Sequence, residues 1–160
     1  MRRTHGHTLL ELLVVVAILM VLAAIAMPSS SDTPDRKLDT TQLAMQDALD
    51  RAQSLATTTA AVFGVRFDID DDWFCVIDEN GVPVDDPLSH KPYLVKLALP
   101  GEPPNVYIDS VDFNGHVVAV FNEKGVMQYG GQVHLRCSTT LRWLSIDTAS
   151  GAFTEIPVSG

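Results

Sequence analysis

The apolar positions of this chain follow three successive patterns, and each predicts a different element. From Leu12 to Met27 they are continuous. At about 1.5 Å per residue, sixteen such residues make a helix of about 24 Å, short of the roughly 30 Å hydrocarbon core of a bilayer. Counting from His7 lengthens the helix to about 31 Å, so a full span includes the carboxylate of Glu11. An acid inside a membrane helix costs about 3 kcal/mol at the centre and less near an interface, and it marks a place where a cationic partner is expected.

The continuous run ends at Pro28. Pro-Ser-Ser-Ser-Asp-Thr-Pro-Asp follows, which stops or kinks the helix and offers Thr33 as the N-cap of a second helix with Pro34 at its first position. From Leu38 to about Ala60 the apolar positions take the helical period. Leu38, Met45, Leu49, Ala52, Leu55 and Ala56 fall largely on one face, with Asp47, Asp50 and Arg51 elsewhere. That stripe needs something to cover it, which excludes a free-standing helical linker.

From Val62 onward the pattern is that of short strands rich in β-branched and aromatic residues. They are expected over Val62 to Phe67, Trp73 to Asp78, Tyr93 to Leu99, Val106 to Phe113, His116 to Phe121, Gln132 to Arg136, Leu141 to Asp147 and Ala152 to Ile156. Asn114-Gly115 is the strongest hairpin signal and Asn80-Gly81 a second. Lys124-Gly125, Gly130-Gly131 and Ser150-Gly151 mark further reversals, and Asp85 to Lys91 reads as an exposed loop. There is no internal repeat. The expected fold class is α+β: a long N-terminal helix, half membrane-type and half amphipathic, packed against a C-terminal antiparallel sheet domain.

The start of the chain resembles the prepilin signature, a short basic leader ending in Gly and then an aromatic-Thr-Leu-x-Glu opening to a long hydrophobic helix. Arg2 and Arg3 form the basic leader, Gly6 matches the residue before the cleavage point, and Thr8, Leu9 and Glu11 match the motif. Pro28 falls where many such helices carry a proline. His7 stands where the family usually has Phe. The resemblance implies cleavage between Gly6 and His7 by a prepilin peptidase that also N-methylates His7. It implies that Glu11 pairs with the terminal amine of a neighbouring protomer during assembly. Such a pair sets register more than it adds stability, because desolvation offsets much of its attraction.

The helix followed by about eight strands is similar to H-type minor pseudopilins of type II secretion and to FimT-like minor pilins. The supporting residues are the helix Leu43 to Leu55 with Ala48, Arg51 and Ala52, then Phe121 to Gly125 and Leu144 to Gly151. On this reading residues 1–6 are a leader, 7–27 the transmembrane and assembly helix, 28–37 a breaker linker, 38–61 the amphipathic helix and 62–160 the β-rich head. The protein would be a minor pseudopilin, a structural subunit and not an enzyme, with a type IV minor pilin as the alternative. Its partners would be other pilins or pseudopilins, the peptidase and an inner-membrane assembly platform. It would cross the inner membrane once, with the head in the periplasm.

Two other readings of the N-terminus stay open. Arg2 and Arg3, Leu12 to Ala23 and Ala24-Ile25-Ala26 also fit a secretory signal cleaved after Ala26, which would leave a soluble β-rich protein or enzyme. A plain membrane anchor is the other. Each places the rest of the chain outside the cytoplasm, because positive charge stays inside.

Charge narrows the partners. The chain has 11 Lys and Arg against 20 Asp and Glu; removing Arg2 and Arg3 with the leader leaves 9 against 20. A nucleic-acid surface needs clustered cations, so no nucleic-acid partner is expected. FimT-like pilins that take up DNA carry basic residues near the carboxyl end, whereas this chain ends Phe153-Thr-Glu-Ile-Pro-Val-Ser-Gly160.

No cofactor is expected. Asp68, Asp70, Asp72 and Glu79 do have the spacing of positions one, three, five and twelve of a calcium loop. Trp73, however, occupies the position that needs Gly, and an acidic turn is the preferred account, with calcium as the alternative. Cys75 and Cys137 are candidates for a disulfide or for two buried thiols. His90, His116 and His134 are scattered without a recognisable nucleophile context.

Overall fold

The computed structural model describes residues 13–18, 33–87, 89–97 and 105–157. The chain divides into two compact units, Met1–Asp32 and Thr33–Gly160. In the first, residues 13–18 are helical and form α1. The second contains helix α2, Pro34–Thr59, and eight described strands.

Helix α2 starts where its caps direct. Thr33 is the N-cap with extended backbone and Pro34 opens the helix, although the Thr33 hydroxyl makes no capping hydrogen bond. The helix begins at Pro34, the first helical position expected after a Thr33 cap. It ends at Ala60, which takes the left-handed conformation usually given to Gly and sends its N–H to the Ala56 carbonyl. The residues before it are Thr57, Thr58 and Thr59, β-branched and poor at continuing a helix. The buried face is Leu38, Thr41, Met45, Ala48, Leu49, Ala52 and Ala56. Alanines at 48, 52 and 56 line up at four-residue spacing and let the helix axis approach the strands closely.

The strands are β1 (Phe63–Asp68), β2 (Trp73–Asp78), β3 (Leu94–Lys96), β4 (Val106–Asp112), β5 (Val118–Phe121), β6 (Gly131–Cys137), β7 (Thr140–Ile146) and β8 (Phe153–Ile156). They form two four-stranded antiparallel sheets, ordered β3-β2-β1-β5 and β4-β6-β7-β8. The two-residue period decides which side chains face inward. Val65 pairs with Val76 and Phe67 with Phe74 in the first sheet, and Val133 with Leu144 in the second, and all six are buried. Helix α2 packs against strands of both sheets, and one continuous core joins Leu38, Met45 and Leu49 to Phe67, Phe121, Leu135 and Ile146.

One expectation is corrected. Asn114-Gly115 makes the turn its sequence announces, with φ of 56° and 84°, but the segments it joins do not form a two-stranded hairpin. Beyond the Phe113–His116 bridge, β4 pairs with β6 and β5 pairs with β1, so the turn carries the chain from one sheet to the other. Phe113 is the reason. It is buried and stacks on Phe67, ring centroids 5.8 Å apart, which turns the chain into the core where a regular hairpin would continue its ladder.

Residues 33–160 are expected to unfold in one cooperative transition, since helix and strands share one core. Leu49→Ala should lower the unfolding free energy by about 2–5 kcal/mol in denaturant titration; a loss below the cost of a surface substitution would contradict the placement of α2.

Candidate functional site

Gly6, His7, Glu11 and Pro28 lie outside the described residues. Within the same segment, α1 consists wholly of apolar side chains, and Leu13, Val14, Val15, Val16 and Ile18 are exposed. A helix apolar on all sides is one that lipid or neighbouring helices cover. Among the described residues no helix is long and apolar enough to cross a membrane.

In the second unit, polar side chains on α2 fasten it to the strands and loops. Arg142 on β7 is 8% exposed; its Nη1 donates to Asp39 and, at 3.3 Å, to Gln42 of α2, and its Nε lies 3.8 Å from Glu155 of β8. Gln46 donates to the Gly151 carbonyl and accepts from the Phe153 N–H at 3.1 Å. It thereby occupies two backbone groups at the start of the edge strand β8. Two helical turns later Gln53 donates to the Gly125 carbonyl at 2.8 Å. Gly125 has φ of 71°, and a Cβ there would lie 2.5 Å from the Thr57 side chain. Both the turn geometry and the approach to the helix therefore require Gly.

A third fastening holds the Asp85 to Lys91 loop. Arg51 lies over the Tyr93 ring, 4.7 Å from its centroid, and pairs with Asp86 at 3.1 Å. The Tyr93 hydroxyl donates to Asp47. Burial, and then the Asp47 carboxylate, push the Tyr93 phenol up to about 12.

The acidic residues with calcium-loop spacing do not converge. Trp73–Asp78 is a strand, so Glu79 lies at the far end of the β1–β2 hairpin from the Ile69 to Asp72 turn. Six strand residues separate them, about 20 Å. Asp68 caps the turn by accepting the Asp71 N–H at 2.9 Å, and Asp70 is exposed on it. Asp72 has a structural task that the sequence did not disclose. It is 9% exposed with φ of 50°; its carboxylate accepts the Ile108 N–H at 2.8 Å and its carbonyl accepts the Leu97 N–H at 2.8 Å. This residue pins the end of the first sheet to strand β4 of the second.

Cys75 and Cys137 are buried thiols, not a bridge. Cys75 is in β2 of the first sheet and Cys137 ends β6 of the second. Burial raises the pKa of both, which makes them poor nucleophiles.

His134 has a partner that sequence spacing did not show. Its Nδ1 lies 2.9 Å from Ser110 Oγ, and its ring stacks on Trp143 with centroids 4.6 Å apart. A Ser–His contact invites comparison with a hydrolase, which needs an acid orienting the other imidazole nitrogen. Here His134 Nε2 is buried with no hydrogen-bond partner among the described residues. Ser110, His134 and Trp143 occupy neighbouring register positions on β4, β6 and β7, and the arrangement is a cross-strand ladder.

The family model of the Prokaryotic N-terminal methylation motif matches residues 1–27. A crystal structure of the Pseudomonas aeruginosa type IV minor pilin FimU superposes with a TM-score of 0.50 at 14% identity, covering 77% of this chain and 90% of FimU. The fold is pilin-like. A second crystal form of FimU gives a TM-score of 0.47 at 12% identity, covering 74% of this chain and 92% of FimU. No curated protein matches significantly in sequence. The chain thus carries the methylation motif in the first unit and, in the second, a pilin-like fold of a helix packed on antiparallel sheets.

Two outcomes test the site geometry. Asp72→Ala leaves the Ile108 N–H without its partner and should cost about 1–3 kcal/mol, whereas Asp72→Asn, which keeps an acceptor and tolerates positive φ, should cost less; equal losses would contradict the pin. A phenol pKa higher in the folded than in the unfolded chain contributes stability that is complete below pH 10 and is lost as pH rises toward 12. Ultraviolet titration should therefore show one of the three tyrosines ionising last, and Tyr93→Phe should remove that step.

Proposed function

We propose that this protein is a minor subunit of a type IV pilin-like fibre, cleaved after Gly6, methylated at His7 and held in the inner membrane by residues 7–27 until it is drawn into the fibre. One observation carries the reading: a methylation motif over residues 1–27 precedes a pilin-like fold. In the fibre, Glu11 meets the terminal amine of a neighbour and fixes its axial register. The excess of acidic over basic side chains favours a minor role, since copies of so acidic a head repel one another.

Within that class we assign the subunit to a type II secretion pseudopilus, on the H-type pattern of Phe121 to Gly125 and Leu144 to Gly151. The structure supplies physical reasons for both segments, the first a glycine turn under Gln53 and the second a turn held by Asp147 and Gln46. The second reading, a type IV pilus, is favoured by the likeness to FimU.

Glu11→Ala should insert into the membrane normally and be lost from fibres. Removing one partner of a buried ion pair costs about 3–5 kcal/mol, enough to lower incorporation more than tenfold. Incorporation at the native level would contradict the proposed pair. Isolation of sheared pili and of pseudopili from the same cells distinguishes the two machines by which fibre contains the subunit.

A further inference from the structure

We propose that Asn114 is a site of spontaneous deamidation in this protein and that the carboxylate of Asp112 sets its rate. The sequence contains two Asn-Gly pairs, at Asn80 and Asn114, and glycine offers the least hindrance to the attacking nitrogen. Both pairs sit in exposed turns, but their backbones are held differently.

At the first turn, Asp78 binds three consecutive N–H groups. Its Oδ1 accepts from Asn80 at 2.9 Å and from Val82 at 2.8 Å, and its carbonyl accepts from Gly81 at 3.0 Å. The attacking nitrogen, that of Gly81, is tied to a backbone carbonyl and flanked by two fixed neighbours. At the second turn the Gly115 N–H is held by a side chain, donating to Asp112 Oδ1 at 2.7 Å. Asp112 and Asn114 line an open cleft of about 390 Å³ with Gln132 and Ser145, so water reaches the turn.

The reaction is intramolecular. The Gly115 nitrogen attacks the Asn114 side-chain carbonyl carbon, the bond from that carbon to the amide nitrogen breaks, and ammonia leaves with the proton that the Gly115 nitrogen gives up. Water then opens the resulting succinimide at either carbonyl, yielding aspartate or isoaspartate. Attack requires the Gly115 nitrogen to lose its proton. A carboxylate that accepts that proton in a charge-assisted hydrogen bond keeps the N–H in place, and its negative charge disfavours an amide anion beside it. Asp112 is therefore a brake.

The site has structural reach because the same turn carries the chain between the two sheets and follows the buried Phe113. Isoaspartate lengthens the backbone by one carbon at that crossing, and either product adds a charge close to Asp112.

The test is peptide mapping by mass spectrometry of the full chain in detergent, aged in mildly alkaline buffer. Asn114 should convert measurably, with Asn80 as the internal reference. Asp112→Ala should accelerate Asn114 about fivefold or more, the worth of one hydrogen bond, with Asn80 unchanged. Should Asp112→Ala loosen the whole fold, seen as parallel acceleration at Asn80, Asp112→Asn decides: it keeps an acceptor without the charge and should still speed Asn114 selectively. No conversion at Asn114 in the native protein, or an Asn114 rate unchanged by Asp112→Asn, would overturn the proposal.

Discussion

The second unit depends on one arrangement, the apolar face of α2 lying against two sheets that have no ladder of hydrogen bonds between them among the described residues. Each sheet leaves an inward face of Val, Leu, Ile and Phe side chains, and a sheet with one apolar face must bury it against another element. Leu38, Met45, Leu49 and the three alanines supply the common wall. Polar fastenings then fix where along the helix each loop attaches: Arg142 near the start, Gln46 at the β7–β8 turn, Arg51 at the Asp85 to Lys91 loop and Gln53 at Gly125. Asp72 makes the link between sheets that the helix does not.

Strand edges are treated consistently. Gln46 takes the Phe153 N–H of β8, Pro157 follows that strand without an N–H, and the Val126 to Gln128 segment returns beside β5. Asp72 takes an N–H from β4. Such devices suppress pairing between heads through their strands. This agrees with the proposed assembly through the N-terminal helix.

Much of this was legible in the sequence. The helical period of Leu38 to Ala56 gave the buried face of α2, Pro34 marked its start, and all eight strands lie where β-branched and aromatic runs occur. What local pattern could not carry was partner choice. Asn114-Gly115 fixes a turn but not whether the flanking strands continue together, and the deciding contact, Phe113 on Phe67, joins residues far apart in sequence. The β6–β7 reversal at Ser138-Thr139 has no Gly or Asn, and Ser138 adopts φ of 58° because the strands on either side impose it. Asp72 resembled a metal ligand by spacing alone; its role needs β4, thirty-six residues away. Likewise the sequence carried no signal for Gln46 and Gln53, since the carbonyls they bind belong to distant loops.

The central claim is that a pilin-like head is preceded by a segment processed as a prepilin. It is tested most directly by the intact mass and N-terminal sequence of the protein recovered from its native membrane. The account predicts a chain beginning at N-methylated His7, with Glu11 and the apolar helix retained. A chain beginning at Met27, cut after Ala26 by a signal peptidase, would contradict it, because neither the helix nor the carboxylate that aligns it would remain in the mature protein.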